Sequence, residues 1–501
     1  MSSTHREIER KVRVSAAFEI PPLVGAAGIA SVEQQPSFHM RNTYFDTPDL
    51  RLFRWGITLR RREGGPDEGW QMKLPVEGAD RGTRDEVRLP LTPGGVPDEL
   101  RSTVLALVRE AELVEVASLR THRQPFLLRD EAGTGIAEVV DDIVDTMEGD
   151  RSTHSFREIE VEAIGDADLE VLEAVVSLLV EHGGTVGSLS KASAALGPRT
   201  LAPPDVPEVA WPAPSDPAGD ALHAFLSAYV RRFLLQDVRV RRRLPDSVHQ
   251  LRVAARRLRS GLQAFRPLLD RQWAEGLRGE LAWAASGLGL ARDTEVLLER
   301  LRDNARGLPG DMGGEAMAVI EPALLAREGQ AELEARATMD SDRYRALVEA
   351  LIDAARHPRL DAAAQEPCDK ALPIIVAKAL RRLASRVDGI SPDSDGEHWH
   401  EVRIAAKRAR YAADAVSPVL GERVADLARE LSVVTDVLGD HQDSHVAQLT
   451  LQELSAHADQ AHAFALGALY EHEVNMQRLD RERFPSVWHD VRKAARRADL
   501  A

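Results

Sequence analysis

The stretch Glu7-Ile8-Glu9-Arg10-Lys11 places two acids and a base at alternate positions. On a β-strand, alternate side chains share a face. Glu7, Glu9 and Lys11 then point one way, and Ile8, Arg10 and Val12 the other. Two carboxylates about 7 Å apart along a strand can share a hard divalent cation. The lysine beside them suits an anionic ligand. Taken alone, the triplet is also what a solvated strand face looks like, so the elements around it must decide.

Alternation and turn signals predict strands at 6–13, 38–45, 56–63, 69–75, 83–90, 120–128, 135–142 and 155–163. Helical periodicity predicts helices near 97–112 and 168–182, and another near 21–30. Eight strands with few helices predict an antiparallel sheet closed into a barrel. Several of these strands carry charges at period two: Arg60 and Arg62; Lys73; Arg84, Glu86 and Arg88; Glu138 and Asp142; Glu158, Glu160 and Glu162. One such strand is an ordinary polar outer face. In a small closed barrel, though, the whole set can point inward if each charge is paired, solvated or bound to an ion. Inward acids and inward bases together make a site for a polyanion and a metal, because carboxylates hold Mg²⁺ or Mn²⁺ and arginine or lysine holds phosphate oxygens.

The 501 residues leave room for about two to four domains. A hydrophobic fraction of 44% and a charged fraction of 29% belong to a soluble globular protein. No apolar run approaches the roughly 20 residues that span a bilayer, and no apolar signal region follows Met1–Arg6. Cys368 is the only cysteine, so no internal disulfide can form. The expectation is a cytoplasmic protein without membrane association. A net charge of −16 argues against a specific nucleic-acid partner. The mean hides one basic zone: Arg231–Leu262 holds ten arginines against two acids, Asp237 and Asp246. That asymmetry points to a defined anionic ligand. The sequence carries no signal for an oligomeric state.

Seven prolines fall between Pro198 and Pro217. This stretch reads as an extended, semi-stiff linker. It divides the chain into domains at 1–197 and 218–501, joined by 198–217. Beyond it the pattern is helical throughout and internally repeated, in halves of about 218–365 and 366–501. His249-Gln250-Leu251-Arg252-Val253-Ala254-Ala255-Arg256-Arg257-Leu258-Arg259 matches His400-Glu401-Val402-Arg403-Ile404-Ala405-Ala406-Lys407-Arg408-Ala409-Arg410. Gly289-Leu290-Ala291-Arg292-Asp293 likewise aligns with Gly439-Asp440-His441-Gln442-Asp443. At 100° per residue, His249, Arg252, Arg256 and Arg259 lie within an arc of about 80°, and His400, Arg403, Lys407 and Arg410 repeat it. Like charges stacked this way destabilise a bare helix. A basic stripe kept in both halves therefore suggests an anion that neutralises it. His441 and His445 have a spacing that can bind a metal on one helix face, but no second cluster completes such a site.

Glu7-Ile8-Glu9-Arg10-Lys11, Tyr44-Phe45-Asp46-Thr47-Pro48-Asp49, Leu59-Arg60-Arg61-Arg62, Trp70-Gln71-Met72-Lys73-Leu74 and Ser190-Lys191 stand in the order seen in the CYTH superfamily. This is the superfamily of class IV adenylate cyclases and thiamine triphosphatases, also called triphosphate tunnel metalloenzymes. Residues of about 4–197 resemble it. The resemblance implies an eight-stranded antiparallel tunnel. Its metal-side residues would be Glu7, Glu9, Asp142, Glu158, Glu160 and Glu162, holding Mg²⁺ or Mn²⁺. Its triphosphate-side residues would be Lys11, Arg60, Arg62, Lys73, Arg123 and Lys191, with Glu86 nearby. The repeated helical pattern over about 218–500 resembles the conserved histidine α-helical domain, CHAD, which commonly follows a CYTH domain. That resemblance implies an all-α, internally duplicated domain binding inorganic polyphosphate through His249, Arg252, Arg256, Arg259, His400, Arg403, Lys407 and Arg410. Lys407 departs from Arg256 of the first half, a point charge in place of a planar fork. The fold class expected is thus two-domain α+β.

The function expected is metal-dependent hydrolysis of inorganic triphosphate or a related linear triphosphate, with Glu7, Glu9 and Lys11 at the catalytic centre. The attacking water would be held by a carboxylate or the cation. No P-loop, Ser-His-Asp or Cys-His pattern supports covalent catalysis. The alternatives are a class IV-type adenylate cyclase, a thiamine triphosphatase and a non-catalytic polyphosphate-binding protein. Polyphosphate granules are the expected place of association.

Overall fold

The computed structural model describes residues 3–79, 82–165, 169–187 and 190–500, with the side chains of residue 3 and residues 290–292 outside the description. The middle of the first half's Gly289–Asp293 motif therefore lies outside the described side chains. The chain divides into two compact units, Met1–Asp205 and Val206–Ala501. The boundary falls inside the proline-rich stretch. Among the described residues, no helix is long and apolar enough to cross a membrane.

The first unit is a closed antiparallel barrel. Its strands are β1 (Ser3–Val14), β2 (Ser31–Gln34), β3 (Phe38–Asp46), β4 (Thr58–Glu63), β5 (Gly69–Pro75), β6 (Thr83–Leu89), β7 (Val114–Arg129), β8 (Gly135–Glu148), β9 (Arg151–Ala163) and β10 (Thr185–Val186). The closed order is β1-β6-β5-β4-β3-β7-β8-β9, returning to β1. β1 closes it by pairing through Ser3–Ile8 with β6 and through Glu9–Val14 with β9. The short β2 and β10 extend the edges of β7 and β1. All eight predicted strands are present, and the two short ones were not foreseen. Gly64, in the β4–β5 turn, has φ +83°, and a Cβ there would lie 2.7 Å from the His39 carbonyl oxygen.

Among the described residues, five short α-helices flank the barrel: α1 (Arg51–Arg54), α2 (Asp98–Thr103), α3 (Leu105–Val108), α4 (Leu169–Glu181) and α5 (Lys191–Leu196). The helix expected near 97–112 is broken into α2 and α3, and that near 168–182 is α4. The helix expected near 21–30 is absent. Pro21-Pro22 opens that stretch, and Gly25, Ala27 and Gly28 adopt φ of 92°, 43° and 80°, which right-handed helix excludes.

The barrel is apolar outside and charged inside. α4 lays Val171, Leu172, Val175, Val176 and Leu179 on Val12, Val139, Ile159 and Val161. Each fully buried side chain of this size contributes about 1.5–3 kcal/mol. Because strand side chains alternate, burying Ile159 and Val161 outside turns Glu158, Glu160 and Glu162 inward. Burying Val12 does the same for Glu9 and Lys11.

The second unit is all helical: α6 (Ala218–Arg241), α7 (Ser247–Ala264), α8 (Arg271–Gly287), α9 (Gly289–Ala305), α10 (Met312–Asp340), α11 (Asp342–Arg356), α12 (Cys368–Val387), α13 (Gly396–Leu420), α14 (Glu422–Ser455) and α15 (Gln460–Arg497). α6 and α12 begin after Pro217 and Pro367, and these starts are cross-linked reciprocally. The Ala218 amide donates to the Glu366 carbonyl at 2.8 Å, and the Cys368 amide to the Asp216 carbonyl at 2.8 Å. This exchange is what a pseudo-two-fold between two related halves produces. α7 and α13, the repeated basic helices, pack on each other. Gly261 seats α7 against α6, since a Cβ there would lie 2.1 Å from the Phe225 ring.

Candidate functional site

The tunnel brings ionisable side chains from seven strands and α5 into ion-pairing range. From β1, Glu9 lies 3.0 Å from Lys11 Nζ, and Glu7 lies 2.6 Å from Lys73 Nζ of β5. Lys11 also reaches Glu160 at 2.6 Å. Arg123 of β7 grips Asp142 of β8 with two bonds, 2.8 and 2.6 Å, and reaches Glu160 at 2.9 Å. Lys191, the first residue of α5, enters from the helix that Ser190 caps. Its Nζ meets Asp142, Glu158 and Glu160 at 2.7, 3.0 and 2.8 Å. Arg60 donates to Gln71 at 2.7 Å, lies 3.5 Å from the Tyr44 hydroxyl and stands 3.7 Å from Glu86. Arg62 donates to Asn42 at 3.0 Å.

The electrostatics sort these groups into two zones. Burial alone would raise Glu9, but Lys11 and Lys73 outweigh it and hold the carboxyl at about 2. Burial is likewise outweighed at Glu160 by Lys11, Lys191 and Arg123, which keep it ionised. Glu162 goes the other way. Burial and the Glu7 and Glu9 carboxylates, opposed by Lys73, push it up to about 8. Glu162 faces Glu9 directly across β1 and β9. Elsewhere the crowding is positive: burial and the Arg60 and Arg123 guanidinium groups disfavour the charged form of Arg62. Among the described residues, no three His, Cys, Asp or Glu side chains converge closely enough to hold a metal ion as they stand. The donor set nevertheless fits a hard divalent cation. Glu7 is buried and Glu9 and Glu162 are half-buried, and a cation would relieve the repulsion that Glu7 and Glu9 exert on Glu162.

In the helical unit the two stripes lie on packed helices. Their outer members have carboxylate neighbours: Arg252 meets Asp293 at 3.1 Å, and Arg410 meets Asp414 and Asp436 at 3.8 Å each. His400 Nδ1 donates to Gln442 at 3.0 Å, and His249 sits on α7 beside Arg252 along the helix. The central members differ. The Nε atoms of Arg256 and Arg403 are buried with no acceptor. Burial and the neighbouring Arg403 and Arg256 depress Lys407 to about 8. Burial, Arg278 and Arg256 depress Arg259. The Tyr411 ring lies under this cluster, 4.7 Å from Arg257 and 5.9 Å from Arg256.

Residues 5–193 match the CYTH domain family, and residues 224–452 match the CHAD domain family. An uncharacterized protein of Mycobacterium tuberculosis is 33% identical over 528 residues, 99% of this chain and 98% of the relative. The chain belongs to the CYTH–CHAD proteins. Its CYTH domain is of the triphosphate tunnel type. Among solved structures, PptA from Streptomyces chartreusis is 27% identical, with a TM-score of 0.48, over 55% of this chain and 99% of that one. The CHAD domain from the plant Ricinus communis is 24% identical, with a TM-score of 0.45, over 56% and 94%.

In the CYTH domain, every acid and base expected at the tunnel carries its charge on the inner face. Their partnerships, however, separate them. Asp142, Glu158 and Glu160 are engaged by bases, whereas Glu162 is crowded by other acids. Tyr44, Asn42 and Gln71 also line the tunnel and were not singled out. Tyr44 and Gln71 stand in the CYTH motifs, Gln71 at the parity of Lys73, and Asn42 and Tyr44 pair across β3 and β4 with Arg62 and Arg60. Arg13 continues the Glu7, Glu9, Lys11 parity and stands 3.7 Å from Glu158. Asp46 of the Tyr44–Asp49 motif has a structural part, accepting backbone N–H bonds from Thr47, Leu52 and Phe53 at 2.7, 2.9 and 2.9 Å and so anchoring α1. In the CHAD domain, His441 is buried, stacked on Trp399, and accepts from Arg481 Nε at 3.0 Å. Burial and Arg481 push it down to about 4, so it acts as a packed neutral acceptor.

Proposed function

We propose that the CYTH domain hydrolyses a linear triphosphate, with inorganic triphosphate as the substrate, and that the CHAD domain binds inorganic polyphosphate. The observation that carries this reading is the sorting of charge within one closed tunnel. Glu7 and Glu9 crowd Glu162, and Arg60 and Arg123 crowd Arg62, an arrangement that suits a cation beside the first group and a polyanion beside the second. Glu7, Glu9 and Glu162 would hold Mg²⁺ or Mn²⁺, which supplies charge neutralisation on the phosphoryl oxygens when bound. Arg60, Arg62, Arg123 and Lys73 clamp the phosphate oxygens. Asp142, Glu158 and Glu160 hold Lys191, Arg123 and Lys11 in place until phosphate replaces the carboxylates as their partner. Water then bonds to the terminal phosphorus as the bridging P–O bond breaks, and pyrophosphate leaves against the same bases. Lys11, between Glu9 and Glu160, orients the reacting end.

In the CHAD domain, Arg256, Arg259, Arg403 and Lys407 form the centre of the polyphosphate groove. His249, Arg252, His400 and Arg410 flank it. Binding there would hold the protein at polyphosphate granules.

The test is orthophosphate release from triphosphate, pyrophosphate, ATP and long-chain polyphosphate, with and without Mg²⁺ or Mn²⁺, beside Glu7→Ala/Glu9→Ala. Metal-dependent release from triphosphate, lost in the variant, is expected. Release from none of them, with polyphosphate still bound and freed by salt, would overturn the hydrolase. Cyclic AMP formed from ATP would make the tunnel a cyclase.

A further inference from the structure

The β4–β5 turn carries an acid onto the basic row of the tunnel. Asp67 stands 3.6 Å from Arg62 Nη1 and 3.4 Å from Arg88 Nη1. Its side chain is 43% exposed, whereas that of Arg62 is 7% exposed, so Asp67 stands at the rim and Arg62 inside it. The turn is held in place: Gln71 donates to the Asp67 carbonyl at 2.9 Å, and the Gly64 amide donates to Glu68 at 2.9 Å. Strand register gives the depth of the other bases. Arg62 lies opposite Gly69, Arg60 opposite Gln71, and Lys73 opposite Thr58. The row therefore descends from the rim as Arg62, Arg60 and Lys73, and ends against Glu7.

A phosphate chain laid along this row finds a base at each step inward from Arg62. The next phosphate outward would meet the Asp67 carboxylate. We propose that Asp67 is a specificity-determining residue that limits the chain accepted at this end of the tunnel, favouring triphosphate over longer linear phosphates. This rests on the triphosphate reading above and adds what sets its length. Bringing one more negative phosphate to within about 4 Å of a carboxylate costs at least about fivefold in affinity even at the dielectric of water, and more at a partly buried rim.

The experiment is steady-state hydrolysis of linear triphosphate and linear tetraphosphate by the full chain, its Asp67→Asn variant and its Asp67→Glu variant. In Asp67→Asn, the ratio of kcat/KM for tetraphosphate to that for triphosphate is expected to rise at least about fivefold. Asp67→Glu, which keeps the charge, is expected to keep the wild-type ratio. A merely structural part for the turn would move both substrates together and leave the ratio alone. An active Asp67→Asn variant with a ratio within about twofold of wild type would overturn this inference and leave the triphosphate reading standing. A wild-type chain that releases phosphate from neither substrate would overturn both.

Discussion

Replacing Lys191 by methionine should destabilise the CYTH domain most at neutral pH and progressively less as pH falls. The Lys191 side chain is 8% exposed, and its ammonium is shared by Asp142, Glu158 and Glu160. Burial alone would lower the lysine, but these three acids outweigh it and keep it charged. Methionine preserves the chain's bulk and removes only the charge. Arg123 still serves Asp142 and Glu160. Glu158, 2% exposed, is left with Arg13 at 3.7 Å. Removing one partner from a buried ionic cluster costs about 3–5 kcal/mol, mainly through the charge left uncompensated. The pH dependence follows from the acids. In the wild type, Asp142 and Glu160 are held below the ordinary carboxylate range, so their stabilisation is present above it and lost as pH falls through their lowered values. Without Lys191 their folded values rise, protonation becomes cheap, and the loss should shrink to less than about half near pH 5. Urea titrations near pH 7.5 and near pH 5, read by hydrogen exchange in peptides from β8 and β9, isolate this domain's unfolding. A neutral-pH loss below about 1 kcal/mol, or one that grows as pH falls, would refute the reasoning.

The remaining expectations concern both domains. Lys407 is charged below about 8 and neutral above it, so polyphosphate affinity should fall as pH rises through that value; Lys407→Arg should flatten the titration measured by calorimetry. Arg403→Ala/Lys407→Ala should weaken polyphosphate binding and lower the slope of log affinity against log salt by about one to two, one lost phosphate contact for each base. Glu9→Gln should abolish most of the metal-dependent phosphate release, at least about a hundredfold in kcat, while leaving polyphosphate retention by the CHAD domain intact. Leu172→Ala, on the outer face of the barrel, should cost about 2–5 kcal/mol in urea titration without altering the tunnel's charge pairs.

The eight strands and the inward set of charges were legible because both are written at period two. Once Ile159 and Val161 are buried outside, Glu158, Glu160 and Glu162 have no other way to point. What parity does not contain is partnership. The three glutamates share a face, yet their environments diverge because of residues far away in sequence: Lys191 for Glu158 and Glu160, and the β1 acids for Glu162. The same holds for Asp67, which lies in a turn and joins the basic row only through the β4–β5–β6 register. The helix expected at 21–30 lost to two prolines and to two glycines in left-handed conformations. In the CHAD domain the duplicated stripe was visible at helical spacing. The reciprocal bonds at Ala218 and Cys368 were not, since backbone donors leave no pattern in side-chain type.

On the proposed function, the two domains would meet the same physical problem, a dense line of phosphate charge, in opposite ways. In the tunnel nearly every base is already paired with a buried acid, so binding must exchange one anion for another. Only a ligand with enough charge to displace several carboxylates at once gains by entering, and the cation that shields those displaced carboxylates makes the exchange favourable. In that reading, selectivity for a short, highly charged phosphate would come with a dependence on divalent metal. On the helical stripes, Arg256, Arg403 and Lys407 are crowded with one another rather than paired, and the Nε atoms of both arginines lack acceptors. An extended polyanion would relieve that repulsion, displacing carboxylates only at the flanking Arg252 and Arg410. On the proposed function, the groove would hold phosphate chains without regard to their length, and the tunnel would test the length of what it admits.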